Sequence, residues 1–391
     1  MNNFVYYTPT KVFFGKDEEK KIGKILKDYE PHKVMIVYGG GSIKKIGLYD
    51  LVINSLKEEG INFVELYGVK ANPDIELVYQ GIKLGIKEEV DFILAIGGGS
   101  VLDTAKDIAH GIAEPGVDVW DFHRYIKKPV RTLRKGAILT ISAAGSEMSN
   151  SCVISNLKTK EKKGFASDFN RFDFAIENPE LTYSVSPYQT SCGIVDIAMH
   201  TIERFFSPGE CYLTDEIALS VIKSTFKFGK KARKSPMDYE SRAELMWASS
   251  LAHNGLTHAG REMIMAVHQL EHELSALDPN IAHGAGLAAL WCSWARYVYK
   301  YARERFIKYV NEIWDIEGND DKAILEGIKK QEEYYQSIGM PTSLEELGIK
   351  EPDLLYLAER CSLNKTKTIS GYKSLSYEDM LEIYRLALHK R

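Results

Sequence analysis

The sequence predicts an α/β N-terminal domain with a doubly wound parallel sheet (Rossmann-like), over residues 1–187, followed by an all-α helical C-terminal domain over residues 188–391. Three observations carry this expectation. Short β-branched runs alternate with helical patterns through the first half, as strands and crossover helices of a parallel sheet do. Beyond Asn178-Pro179 to Ser186-Pro187 the strand pattern fades, and helical periodicity continues almost to the end. A chain of 391 residues is also too long for one ordinary core.

The elements follow in order. Tyr6 to Phe14 alternates apolar and polar residues and has no hairpin mate, so it is expected to pair with its own copy in a homodimer. Lys33 to Tyr38 is a strand ending in Gly39-Gly40-Gly41-Ser42, and a helical pattern then runs to Glu59, stopped by Gly60. Ile61 to Tyr67 is a strand closed by Asn72-Pro73-Asp74, with Asp74 as cap of a helix to about Glu89. Asp91 to Ile96, Ser100 to Gly111 and Ile138 to Ser142 read as strand, helix and strand, with extended runs near Cys152 to Ser155 and Asp173 to Ile176. In the helical half, breaks fall at Ser207-Pro208-Gly209, Ser235-Pro236, Asp278-Pro279-Asn280 and Met340-Pro341.

Composition narrows the classes. A formal charge of -4 gives no reason to expect nucleic acid or an anionic membrane as partner. The five cysteines are scattered without a CxxC pair, as reduced thiols of a cytoplasmic protein would be. The opening residues do not read as a signal peptide, and the apolar stretch from Gly286 to Val298 is too short to span a bilayer and is broken at Arg296.

Two glycine loops and one cluster carry the chemistry. Gly97-Gly98-Gly99-Ser100 follows a strand and opens a helix, so backbone N–H groups can approach a pyrophosphate at a helix N-terminus, although the pattern is not GxGxxG. Asp103, one turn on, is unusual beside an anion site. At Gly39, Gly40, Gly41 and Ser42 no acid lies between Tyr38 and Asp50, while Lys44 and Lys45 stand close to a candidate 2′-phosphate. That pattern favours NADP(H) over NAD(H). Asp196 and His200 lie at i, i+4 in an apolar run where an unpaired carboxylate would be costly, and His268 and His272 repeat the spacing before His283. Four ligands chosen from these five residues suit one divalent metal with an open position, and leave one group for proton traffic. The string His268-Gln269-Leu270-Glu271-His272 also matches the HxxEH of inverted zinc peptidases, a reading that leaves Asp196, His200 and the glycine loops unexplained.

Together these motifs resemble the iron-containing (group III) alcohol dehydrogenase family, specifically its NAD(P)H-dependent butanol dehydrogenase branch. The resemblance covers nearly the whole chain, from Tyr7 to Gly15 through Val69 to Pro73, Gly97 to Lys106, Thr140 to Ser149 and the Asp196/His200 segment to Ile281 to Gly286. It implies that Asp196, His200, His268 and His283 bind the metal and that His272 stands near the nicotinamide as the catalytic proton group. It further implies that Asp103 faces the nicotinamide end, that Thr140 and Ser142 contact phosphate or ribose, and that Asn72 lies near the adenosine. Lys162 is matched to a lysine that reaches the cofactor, with Lys163 adjacent. One oxygen donor among nitrogens suits Fe²⁺ first and Zn²⁺ second. The expected substrate is a short-chain primary alcohol or aldehyde of butanol or butanal type. Other chemistry on a related fold, such as a polyol dehydrogenase or a cyclising lyase, is the alternative.

Overall fold

The structure, a computed structural model, describes residues 1–390; Arg391, the last residue of the expected helical domain, lies outside them. The chain divides into two compact units. One comprises Tyr7–Val185 and Ser235–Asn254; the other comprises Met1–Tyr6, Ser186–Lys234 and the chain from Gly255 onward. Two segments thus depart from a simple division at 187/188.

The strands are β1 (Lys11–Phe14), β2 (Val34–Tyr38), β3 (Phe63–Tyr67), β4 (Phe92–Gly97), β5 (Arg134–Leu139), β6 (Ser151–Asn156), β7 (Glu161–Ala166) and β8 (Phe174–Glu177). Six of them form one parallel sheet in the order β1-β8-β5-β4-β2-β3. Every residue of β2 and β4 is buried, because helices cover both faces. The period-two alternation of strand side chains sorts them between two cores. Met35 and Val37 pack with Val78 and Ile108, whereas Val34 and Ile36 pack with Val52 and Leu56. The helices interspersed with these strands are α1 (Ile22–Lys27), α2 (Ser42–Lys45), α3 (Leu48–Glu58), α4 (Ile75–Lys87), α5 (Gly99–Ala113) and α6 (Trp120–His123). From β2 the chain moves outward to β3, then returns past β2 to β4. The strand order therefore reverses between β2 and β4, and ligands of doubly wound sheets gather outside the carboxyl ends at such a point.

Local departures from the sequence-based expectation have identifiable causes. The helical pattern from Ser42 to Glu59 is broken in two, because Gly47 takes a left-handed conformation at φ 75°. The run from Cys152 to Ser155 does not join the parallel sheet; it is β6, paired antiparallel with β7, a strand the charged segment around Lys162 does not announce. Asp74 precedes α4 without capping it through its side chain, and its backbone instead bridges to Ser155. One edge of β1 pairs with β8, and no strand among the described residues covers the other.

The remaining helices are α7 (Pro187–Phe205), α8 (Tyr212–Lys234), α9 (Tyr239–His253), α10 (Ala266–Leu277), α11 (His283–Val298), α12 (Arg303–Trp314), α13 (Asp321–Ser337), α14 (Glu351–Cys361) and α15 (Tyr377–Leu388). Of these, α9 belongs with the sheet. Its Ser249 hydroxyl donates to Ala143 O at 3.1 Å, and its His253 Nδ1 lies 2.6 Å from Ala144 O, so it braces the loop after β5. In the other unit, Ser186 caps α7 by accepting from Gln189 N, with Pro187 at the first helical position. The first turn of α11 lies hard against α7: a Cβ on Gly284 would stand 2.2 Å from Cys192 O. All five cysteines are free and buried. No helix among the described residues is long and apolar enough to cross a membrane.

Candidate active site

The glycine loops sit side by side because the sheet register puts them there. Tyr38 pairs with Ile96 and Leu139 with Gly97, so the loops after β2, β4 and β5 leave adjacent strands at one edge. Gly97 ends β4, Gly98 precedes α5, and Gly99 and Ser100 form its first turn. Packing demands these glycines: a Cβ on Gly98 would lie 2.3 Å from Ile141 Cγ2, and one on Gly97 2.6 Å from Val101 Cγ2. Around Gly40 and Gly41, by contrast, an added Cβ meets nothing within 4 Å, and Ser42 opens the single turn of α2. Thr140 follows β5, its N–H bonded to Gly97 O at 3.1 Å. The Ser142 hydroxyl oxygen is buried without a hydrogen-bond partner among the described residues, as befits a group whose partner is a ligand.

The β6–β7 hairpin brings further candidates together. Ser155 N donates to Pro73 O at 2.8 Å while Ser155 pairs with Lys162, so Lys162 stands one strand away from the Asn72-Pro73 turn. Neighbouring residues on a strand face opposite ways, which separates the two lysines. Lys163 pairs with Glu161 at 2.6 Å on one face, leaving Lys162 on the other. Asp103 has both carboxylate oxygens engaged within the protein: Oδ2 accepts from Val153 N at 2.9 Å, and Oδ1 from the Ser146 hydroxyl at 2.5 Å and Lys106 Nζ at 3.3 Å. Lys106 is fully buried and donates to the Ser146 hydroxyl and to Ser151 O, each at 2.6 Å. This network braces the post-β5 loop; Lys106 and Ser146 were not legible in the sequence, because Ser146 and Ser151 lie forty and forty-five residues from Lys106.

In the helical unit Asp196 and His200 project from one face of α7, with His268 on α10 and His283 opening α11. Three imidazole Nε2 atoms surround Asp196 Oδ1, at 3.3 Å for His200 and 3.8 Å for both His268 and His283. Asp196 Oδ1 and His268 Nε2 have no hydrogen-bond partner among the described residues. Asp196, His200 and His268 are buried, but the His283 side chain is 25% exposed, so the cluster opens on its side. His272 lies there too, half-buried, its ring centroid 5.7 Å from that of His283.

Two glutamates that the sequence reading did not select stand behind the histidines. Glu203 bonds His268 Nδ1, and Glu271 bonds His283 Nδ1 and the Ser275 hydroxyl. The carboxylate that the peptidase reading would set on a water molecule is thus occupied by an imidazole. Burial opposes charge on His268, but Glu203 and Asp196 outweigh it and raise its pKa to about 9. The negative field that would retain a proton there would equally retain a divalent cation. Converging Nε2 atoms, a buried carboxylate oxygen without a partner and acid-backed Nδ1 atoms therefore fit a metal ion.

A nucleotide-type parallel sheet and a three-His, one-carboxylate cluster together define a metal-associated dinucleotide enzyme. The comparisons specify it further. Residues 9–179 match the family model for iron-containing alcohol dehydrogenases, and residues 190–388 match that of the C-terminal region of the same family. NADH-dependent butanol dehydrogenase A of Clostridium acetobutylicum is 43% identical over 98% of this chain and 99% of its own length. The NADPH-dependent aldehyde reductase YqhD of Escherichia coli is 36% identical over 99% of this chain and 100% of its own. The crystal structure of NADH-dependent butanol dehydrogenase A from Thermotoga maritima superimposes with a TM-score of 0.97 at 38% identity, over 100% of this chain and 99% of that one. The chain belongs to the iron-containing alcohol dehydrogenase family and is an NAD(P)-dependent alcohol dehydrogenase.

Proposed function

We propose that this dehydrogenase reduces short-chain primary aldehydes of butanal type to alcohols, with NADPH in preference to NADH, and catalyses the reverse oxidation with the same groups. The convergence of three histidine Nε2 atoms on Asp196 Oδ1 carries the reading. Asp196, His200, His268 and His283 would hold one divalent ion, Fe²⁺ by the mixed donor set, with Zn²⁺ as the other candidate. When bound, the ion supplies a Lewis acid for the substrate oxygen, and the nicotinamide supplies or accepts the hydride.

The protein's own residues do the rest. Three buried ligands leave the His283 side for substrate to approach. His272 beside it donates a proton in reduction and accepts one in oxidation. Backbone N–H groups of Gly97, Gly98, Gly99 and Ser100 receive the pyrophosphate at the start of α5. Thr140 and the partnerless Ser142 hydroxyl serve phosphate or ribose. Asn72, in the turn whose Pro73 bonds Ser155, and Lys162, paired with Ser155, serve the adenosine side and the cofactor's anionic groups. Asp103 acts on the nicotinamide end through the loop it braces.

Relatives divide on the cofactor: the butanol dehydrogenase A of Clostridium acetobutylicum is named for NADH and YqhD for NADPH. The preference for NADPH rests on the open space at Gly40 and Gly41, the absence of an acid there, and Lys44, whose ammonium lies over the rings of Tyr38 at 5.5 Å and Tyr49 at 4.6 Å. The uncovered edge of β1 supports a homodimer, which sedimentation at micromolar concentration would reveal. Buried free thiols suit a reducing cytoplasm.

The test is reduction of two- to six-carbon aldehydes by the iron-loaded protein with each cofactor, followed by nicotinamide absorbance. Butanal turnover favouring NADPH is expected. Absence of turnover with the whole panel would end the substrate reading, and a preference for NADH of about tenfold would end the cofactor reading.

A further inference from the structure

We infer that Glu203 and Glu271 are positioning residues of the metal centre: each holds the Nδ1–H of one ligand histidine and commits its Nε2 to the ion. This rests on the ligand set proposed above.

The pairing crosses helices. Glu203 lies on α7, one turn past His200, and serves His268 on α10; Glu271 lies on α10, one turn past His268, and serves His283 on α11. Both carboxylates are buried, Glu203 at 3% exposure and Glu271 at 0%. Glu203 does double duty. Its Oε1 accepts from Val267 N at 2.5 Å and its Oε2 from His268 N at 3.3 Å, so it caps the first turn of α10 while gripping the imidazole that turn presents. Room for Glu271 is reserved by a missing side chain on the next helix, since a Cβ on Gly286 would stand 2.7 Å from Glu271 Cγ and 3.0 Å from its Oε1.

A neutral imidazole carries one N–H, and a carboxylate accepting at Nδ1 fixes that hydrogen there. The Nε2 lone pair then points toward Asp196, and the anionic partner makes it a stronger donor. Because each grip comes from a neighbouring helix, α7, α10 and α11 are tied to the geometry of the cluster. An acid that merely pinned helices would have no need to end on the ligand's second ring nitrogen.

Metal dissociation into excess colorimetric chelator tests this, measured on loaded wild type, Glu271→Gln, Glu271→Ala, Glu203→Gln and Gly286→Ala. The inference predicts release about 10–100-fold faster for Glu271→Ala. Glu271→Gln and Glu203→Gln should fall between it and wild type, because an amide oxygen still accepts the N–H but carries no charge. Gly286→Ala, which displaces Glu271 without changing its chemistry, should also release faster. Cobalt-substituted Glu variants should show shifted visible absorption. Wild-type release rates and cobalt spectra with only a lowered melting temperature would overturn the inference and leave the acids as helix clamps. Asp196→Ala separates the two levels. If it loses its metal while the Glu variants behave as wild type, the positioning role alone fails; if it retains metal at the wild-type rate, the ligand reading fails and takes the inference with it.

Discussion

At the carboxyl edge of the sheet the molecule presents backbone, whereas inside the helical unit it presents side chains, and the two are fixed by different means. Gly97 and Gly98 are held by backbone hydrogen bonds and by packing, with Val101 and Ile141 closing over positions where any Cβ would collide. The histidines are held by charge: acids buried behind His268 and His283 and an acid between their Nε2 atoms. The turn after β4 is therefore vulnerable to added volume, and the histidine cluster to the loss of a buried charge. That contrast can be broken experimentally.

The largest effect should come from stripping metal. Chelation is expected to abolish turnover while NADPH fluorescence still reports dinucleotide binding, and Fe²⁺ should restore the rate. Loss of NADPH binding on chelation would mean that the two sites are not independently built. Next is His272→Ala, which should keep its metal and lose about 10²–10⁴-fold in kcat, the usual contribution of a proton-transfer group. An unchanged rate would remove His272 from the chemistry.

Gly98→Ala probes the other side of the comparison. Overpacking against Ile141 costs about 1–3 kcal/mol of stability, and the turn it displaces should raise the cofactor KM with metal content unchanged. Simultaneous metal loss would blur the contrast. Gly40→Asp adds charge where there is room, and about 1–2 kcal/mol of screened repulsion should shift the NADPH/NADH ratio of kcat/KM toward NADH by roughly five- to thirtyfold. No shift would dissociate this loop from the 2′-phosphate.

The smallest effect concerns acids without an imidazole. Glu147 and Glu177, both buried in the sheet unit, share only the Ser250 hydroxyl, at 2.7 and 3.0 Å. Burial pushes both carboxyls above their ordinary value, and for Glu177 the charge of Glu147 adds to it. A group held above its unfolded pKa favours the fold at low pH and loses that advantage as pH rises through the folded value, so stability should decline from about pH 5 upward. Glu177→Gln should flatten the decline and raise melting at pH 8 by about 2–6 °C. A variant that melts lower at pH 8 and keeps the slope would contradict this.

How much the sequence revealed follows the same division. The sheet was legible because parallel strands buried on both faces read as apolar runs, and glycine at a strand end announces itself. Asp196, His200 and His268 were legible from helical spacing in apolar surroundings. Glu203 and Glu271 sit at i+3 from His200 and His268, yet each serves a histidine on another helix, a pairing no single-helix periodicity can display. Strand β7 escaped notice because its Glu161-Lys162-Lys163 run reads as a solvated turn until β6 pairs with it. Gly47 was visible, but its left-handed turn was not distinguishable from a tolerated helix glycine.

Metal stoichiometry in the single alanine variants at Asp196, His200, His268, His272 and His283 tests the central claim most directly. The account predicts one ion per chain in the wild type and in His272→Ala, and loss of that ion in the other four. A metal-free His272→Ala beside a fully loaded His268→Ala would reverse the ligand assignment and contradict it.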